Sequence, residues 1–98
     1  MNNNYYLLMY DVTENRKRTK LQKKLLKNDW TMLQYSVYIK YCNKQEIREL
    51  EKKVEHLVDQ NRHDSLYFTK VHLPSLLSGA LAGKIRQYLS EEIEQIFI

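Results

Sequence analysis

Residues 5–11, Tyr-Tyr-Leu-Leu-Met-Tyr-Asp, are a continuous apolar run closed by an acid. With no position reserved for water, the run predicts a strand buried on both faces. Leu21 and Leu25 then stand four apart among lysines, which predicts a helix with one narrow apolar stripe, capped by Thr13 or Asn15 and ended by Asn28-Asp29. From Trp30 to Tyr41 the chain alternates, with Leu33, Tyr35, Val37, Ile39 and Tyr41 on one side and Met32, Gln34, Ser36, Tyr38 and Lys40 on the other. Alternation predicts strand, and a stretch this long is expected to bend or break near Gln34 to Ser36 into two pieces. Asn43 precedes Ile47, Leu50, Val54, Leu57 and Val58, the spacing of a capped amphipathic helix.

Gln60 to Asp64 reads as polar loop, and residues 65–71 as a further strand, stopped by Pro74. Leu76, Leu77, Ala80, Leu81, Ile85, Tyr88 and Leu89 permit a helix, and Glu92 to Ile98 a terminal strand. The order β-α-β-β-α-β predicts an α+β ferredoxin-like sandwich, one sheet with two helices on one face, carrying an extra C-terminal strand. All 98 residues are read as one domain, with a core over about 5–72 and residues 73–98 as an extension placed to contact a second copy.

Composition supports an ordered globular chain: 43% hydrophobic, 29% charged, with two glycines and one proline. The net charge of +4 is unevenly spread. Arg16, Lys17, Arg18, Lys20, Lys23, Lys24 and Lys27 follow one another with no acid among them, whereas Lys44 to Arg62 is balanced. A cationic first helix favours a polyanionic partner, although a solvated lysine face gives the same pattern. The single cysteine, Cys42, excludes an intramolecular disulfide and any multi-cysteine zinc site, and the amino terminus has no secretory-signal pattern, so a cytoplasmic protein is expected. Leu73 to Ala82 is apolar, but Lys84 and Arg86 cut it well short of the ~20 residues of a membrane span, so no membrane is expected as a partner.

Asp11 is the one acid predicted at the end of a buried strand, where the backbone can hold it rigidly. Mg²⁺ or Mn²⁺ takes oxygen ligands and retains several waters, so one or two carboxylates plus phosphate oxygens suffice. A symmetric dimer would bring two copies of Asp11 together, their repulsion calling for a bridging cation. The other reading makes Asp11 a cap of the following turn. Tyr10 is expected in the core, and Ser36 in a hydrogen bond within the sheet or to phosphate. His56, His63 and His72 match no zinc or acid–base spacing. Trp30, Tyr35, Tyr38 and Tyr41 are read as core or dimer packing ahead of base-stacking platforms.

Tyr10-Asp11-Val12, Arg16-Lys17-Arg18 and Gln34-Tyr35-Ser36-Val37-Tyr38, in this order and spacing, resemble the CRISPR-associated protein two family, the small dimeric partner of the CRISPR integrase. The resemblance covers about residues 5–71. It implies a ferredoxin-like homodimer with Asp11 as metal ligand and catalytic residue for Mg²⁺ or Mn²⁺. Arg16 and Arg18 match the family's basic positions, and with Lys20 and Lys24 they are the expected nucleic-acid contacts; Tyr10, Ser36 and Tyr38 are supporting residues, Tyr38 standing where phenylalanine is common. The implied role is spacer acquisition in antiviral defence. In it the dimer bridges integrase subunits and binds duplex DNA, with single-stranded RNA as a second candidate. A metal-dependent endonuclease and a non-catalytic nucleic-acid adaptor are both open on this reading. A toxin-like ribonuclease or an RNA-recognition module ranks behind them, because the glycine-aromatic strand signature of such modules is absent.

Overall fold

A computed structural model describes residues 2–78. Its elements are β1 (Asn4–Asp11), α1 (Asn15–Lys27), β2 (Thr31–Gln34), β3 (Val37–Cys42), α2 (Lys44–Val54), β4 (Ser65–Val71) and α3 (Leu73–Ser78), with single 3₁₀ turns at Glu55–Leu57 and Gln60–Arg62. The four strands form one sheet in the order β2-β3-β1-β4, every neighbouring pair antiparallel. This is the ferredoxin-like α+β arrangement expected from the element order. The proposed terminal strand, and the helix beyond Ser78, lie outside the described residues.

The central strand β1 corrects the first expectation. Tyr6, Leu8 and Tyr10 are buried beneath the helices, while Tyr5, Leu7 and Met9 are only half-buried. The run is apolar throughout because its two faces meet two different layers. On the helix side, Leu21 and Leu25 of α1 and Leu50, Val54 and Leu57 of α2 and its continuation close over Leu8, Tyr38 and Cys42. Each such leucine contributes about 1.5–3 kcal/mol by leaving water. On the other side Leu33 and Ile39 form a smaller cluster with Tyr5, Leu7, Val37 and Leu76 of α3.

The chain from Trp30 to Tyr41 breaks where expected, into β2 and β3 joined by Tyr35-Ser36. No glycine serves the turn, so Ser36 takes a left-handed φ of 66°. A register shift between Met32 and Gln34 keeps Leu33 on the same face as Val37 and Ile39 across the turn. Tyr35 alone leaves that face.

Helix ends follow local chemistry. Asn43 caps α2 by accepting the Glu46 N–H at 3.0 Å. At the end of α1 the Trp30 and Asp29 N–H groups bond back to the Leu25 and Leu26 carbonyls, with Asp29 at φ 67° in the place glycine usually takes. The start of α1 departs from expectation. Its N-cap is Glu14, without a capping side-chain hydrogen bond; Thr13 bonds elsewhere, and the Asn15 side chain accepts from Arg18. Pro74 does not stop β4, which ends at Val71; the proline lies in the first turn of α3, where its missing N–H has no helical partner to lose.

Candidate nucleic-acid interface

Three features meet where β1 runs out: the Asp11 carboxylate, the loop leading into α1, and the turn between β2 and β3. Asp11 pairs through its backbone with Ser65 of β4 and is exposed. Its carboxylate makes no hydrogen bond or ion pair with any described residue, so the capping role does not fall to it.

Asp64 performs that role instead. One carboxylate oxygen accepts the Thr13 N–H at 2.8 Å and the Thr13 hydroxyl at 2.9 Å, and the other accepts the Asp59 N–H at 3.0 Å. Thr13 also donates to the Arg62 carbonyl at 3.4 Å. The backbone N–H groups of Asp59 and then Thr13 hold the Asp64 carboxyl below its ordinary pKa, partly opposed by burial and assisted by the Thr13 hydroxyl and by Lys17. Sequence reasoning placed Asp64 in a polar loop and missed it. The available signal was an acid directly preceding a strand, but the partner lies 51 positions away.

The cationic helix separates into two groups. Arg18 donates to the Val12 carbonyl at 3.2 Å and to Asn15, which ties it to the loop below Asp11. Lys24 donates to the Lys53 carbonyl at 3.1 Å, bracing α1 against the end of α2, and Lys17 lies 3.9 Å from Glu14. Arg16, Lys20, Lys23 and Lys27 are exposed and have no partner among the described residues. At 100° per residue these four fall in one stripe, about 16 Å long, opposite Leu21 and Leu25. Of the four expected nucleic-acid contacts, therefore, Arg16 and Lys20 lie on the stripe, while Arg18 and Lys24 hold backbone carbonyls. Lys23 and Lys27 complete the row.

This stripe works against folding. Arg16–Lys20, Lys20–Lys23 and Lys23–Lys27 are adjacent like charges, each destabilising by about 0.2–0.5 kcal/mol. The first turn of α1 has no acid to match the positive end of the helix dipole. Helix α2 shows the usual pattern at both ends, with Glu46 in its first turn and Lys52 and Lys53 in its last, whereas α1 shows it only at its last turn, through Lys24 and Lys27.

The supporting residues have structural places. Tyr10 and Tyr38 stack in the core with ring centroids 5.9 Å apart. Burial, aided by Tyr10, pushes the Tyr38 phenol well above its usual pKa, and its hydroxyl has no hydrogen-bond partner among the described residues. The Ser36 carbonyl accepts the Tyr10 N–H at 3.1 Å, linking the turn to β1. Cys42 is buried, and burial is the main cause that raises its thiol to about 11, so little thiolate forms near neutrality. His72 Nδ1 and Ser75 Oγ are 2.8 Å apart.

No group of three or more His, Cys, Asp or Glu side chains among the described residues could enclose a metal. The unengaged, solvent-facing Asp11 carboxylate fits a hard cation that keeps most of its water and takes its other ligands from phosphate or a second copy. No helix of the described residues is long and apolar enough to cross a membrane.

The family model described as CRISPR associated protein Cas2 matches residues 4–75. A search of curated proteins found no match. Among solved structures, the chain is similar to a hypothetical protein, TT1823, from Thermus thermophilus, at 23% identity and a TM-score of 0.67, over 83% of this chain and 92% of that one. That likeness bears on the fold.

Proposed function

The chain belongs to the CRISPR-associated protein Cas2 family, and from that premise we propose that it acts in spacer acquisition as a homodimeric adaptor that grips duplex nucleic acid and bridges integrase subunits. The observation carrying this reading is the stripe of Arg16, Lys20, Lys23 and Lys27. It has no partner among the described residues, sets like charges side by side, and has the length and charge to follow a phosphate backbone. The half-buried sheet face around Tyr5, Leu7, Met9 and Val37 is the surface we assign to the second copy.

A second reading rests on Asp11. In a dimer its two copies would hold Mg²⁺ or Mn²⁺, which when bound supplies Lewis-acid polarisation of a phosphodiester and a more acidic water. This chain's own part would be to present that carboxylate from a strand end fixed by the Ser65 pairing and by the Asp64–Thr13 contact. The resulting activity would be endonucleolytic, on DNA or RNA.

One comparison separates the two. Spacer acquisition is measured with wild type, Asp11→Ala, and the fourfold variant Arg16→Gln/Lys20→Gln/Lys23→Gln/Lys27→Gln. The adaptor reading requires acquisition to survive Asp11→Ala and fail with the fourfold variant; the opposite pattern would make hydrolysis the essential activity.

A further inference from the structure

Tyr35 is 87% exposed, more than any other large hydrophobic side chain among the described residues. Alternation along the strand would have laid it beside Val37 and Ile39. The turn instead lifts it into solvent, and the structure holds it there. Met9 faces Val37 across the β1–β3 ladder, and the next rung is the hydrogen bond from the Tyr10 N–H to the Ser36 carbonyl. That bond ties Ser36, the residue after Tyr35, to Tyr10, the residue before Asp11. The tip is clamped from two sides, by the β2–β3 pairing and by Tyr10, with Ser36 in a left-handed conformation. The backbone of so constrained a turn loses little freedom on meeting a planar ligand, and the tyrosine ring has only two torsions to fix.

We infer that Tyr35 is a stacking platform for an unpaired nucleobase whose phosphate lies at the Asp11 end of the sheet. The inference rests on the nucleic-acid reading above and deepens it. The cationic stripe recognises backbone and is blind to bases, whereas an exposed ring adds an attraction that any base supplies through its π face. Arg18, fastened to the Val12 carbonyl, keeps positive charge at the loop that follows Asp11. The hydroxyl of Tyr35 has no part in stacking, so phenylalanine serves equally.

The test uses the full chain and two fluorescent oligonucleotides of about ten nucleotides, one of thymidine and one with the same backbone lacking bases. Wild type and Tyr35→Phe should bind the thymidine strand about tenfold more tightly than the abasic strand. Tyr35→Ala should lose that preference while binding the abasic strand like wild type. Equal binding of the two strands by wild type, or a preference retained by Tyr35→Ala, would overturn the inference while leaving backbone recognition intact. Failure of wild type to bind either strand would overturn the inference, and the nucleic-acid reading falls with it only if a duplex of the same length is also left unbound. If Tyr35→Ala instead lowers sedimentation mass with the preference unchanged, the ring belongs to a protein interface and the inference falls.

Discussion

The Asp64 carboxylate binds both the backbone N–H and the hydroxyl of Thr13, at 2.8 and 2.9 Å, across 51 positions of sequence. This bond fastens the loop after β1 to the start of β4. It leaves Asp11, two residues before Thr13, at a strand end with its own carboxylate bonded to none of the described residues. A structural acid and a chemically available acid are thereby separated within one small region.

The same contact predicts an acid-sensitive fold. The backbone N–H groups of Asp59 and Thr13 lower the Asp64 pKa on folding from an ordinary 3.8. The stabilisation is therefore complete above that value and is lost as pH falls through the lower, folded pKa. Thermal melts between about pH 2.5 and 6 should show the wild-type melting temperature falling more steeply below pH 4 than that of Asp64→Asn. Parallel curves for the two proteins would refute the role given to this carboxylate.

The buried Tyr38 hydroxyl has no hydrogen-bond partner among the described residues. Tyr38→Phe keeps the stacked ring and removes the unsatisfied group, so it should raise the free energy of unfolding by about 1 kcal/mol in urea titration. A loss of stability would mean that the hydroxyl is hydrogen-bonded after all.

Ser36 holds a backbone conformation that disfavours a β-carbon by about 1–2 kcal/mol. Ser36→Gly should be neutral to stabilising by up to about 1 kcal/mol, since glycine returns part of the gain as chain entropy. Ser36→Val should be clearly destabilising. Denaturant midpoints of the three proteins in that order would bear this out, whereas valine as stable as glycine would show that the turn is not strained.

Local rules sufficed where the relevant partners were close in sequence. The Asn43 cap, the Asn28-Asp29 helix stop, the face of Leu50 and Val54, and the break at Tyr35-Ser36 each follow from spacing over a few residues. The apolar run of β1 was misleading about burial, because periodicity does not distinguish a face packed by helices from one half-covered by Leu76. Asp11 could be placed at a strand end, but that Asp64 and not Asp11 binds the loop was hidden, because the Asp64–Thr13 pairing is long-range. In the cationic helix, composition revealed the charge. Only the helix phase and the contacts of Arg18 and Lys24 divided bracing residues from the open row of Arg16, Lys20, Lys23 and Lys27.

On the proposed function, that row makes stability and binding move in opposite directions. Replacing its four cations with glutamine removes three neighbouring repulsions and gives up one favourable contact of Lys27 with the helix dipole, so the variant should unfold at higher denaturant, gaining up to about 1 kcal/mol. An unchanged or lowered midpoint would remove the argument that the stripe is kept at the expense of the fold.

The central claim is that these four side chains grip a phosphate backbone, and duplex binding against salt tests it most directly. Each phosphate contact contributes a slope of about −0.9 in log K against log salt, so the fourfold glutamine variant should show a slope shallower than wild type by about 3 to 4 per chain. A variant whose slope matches wild type would contradict the account and place the nucleic-acid surface elsewhere on the protein.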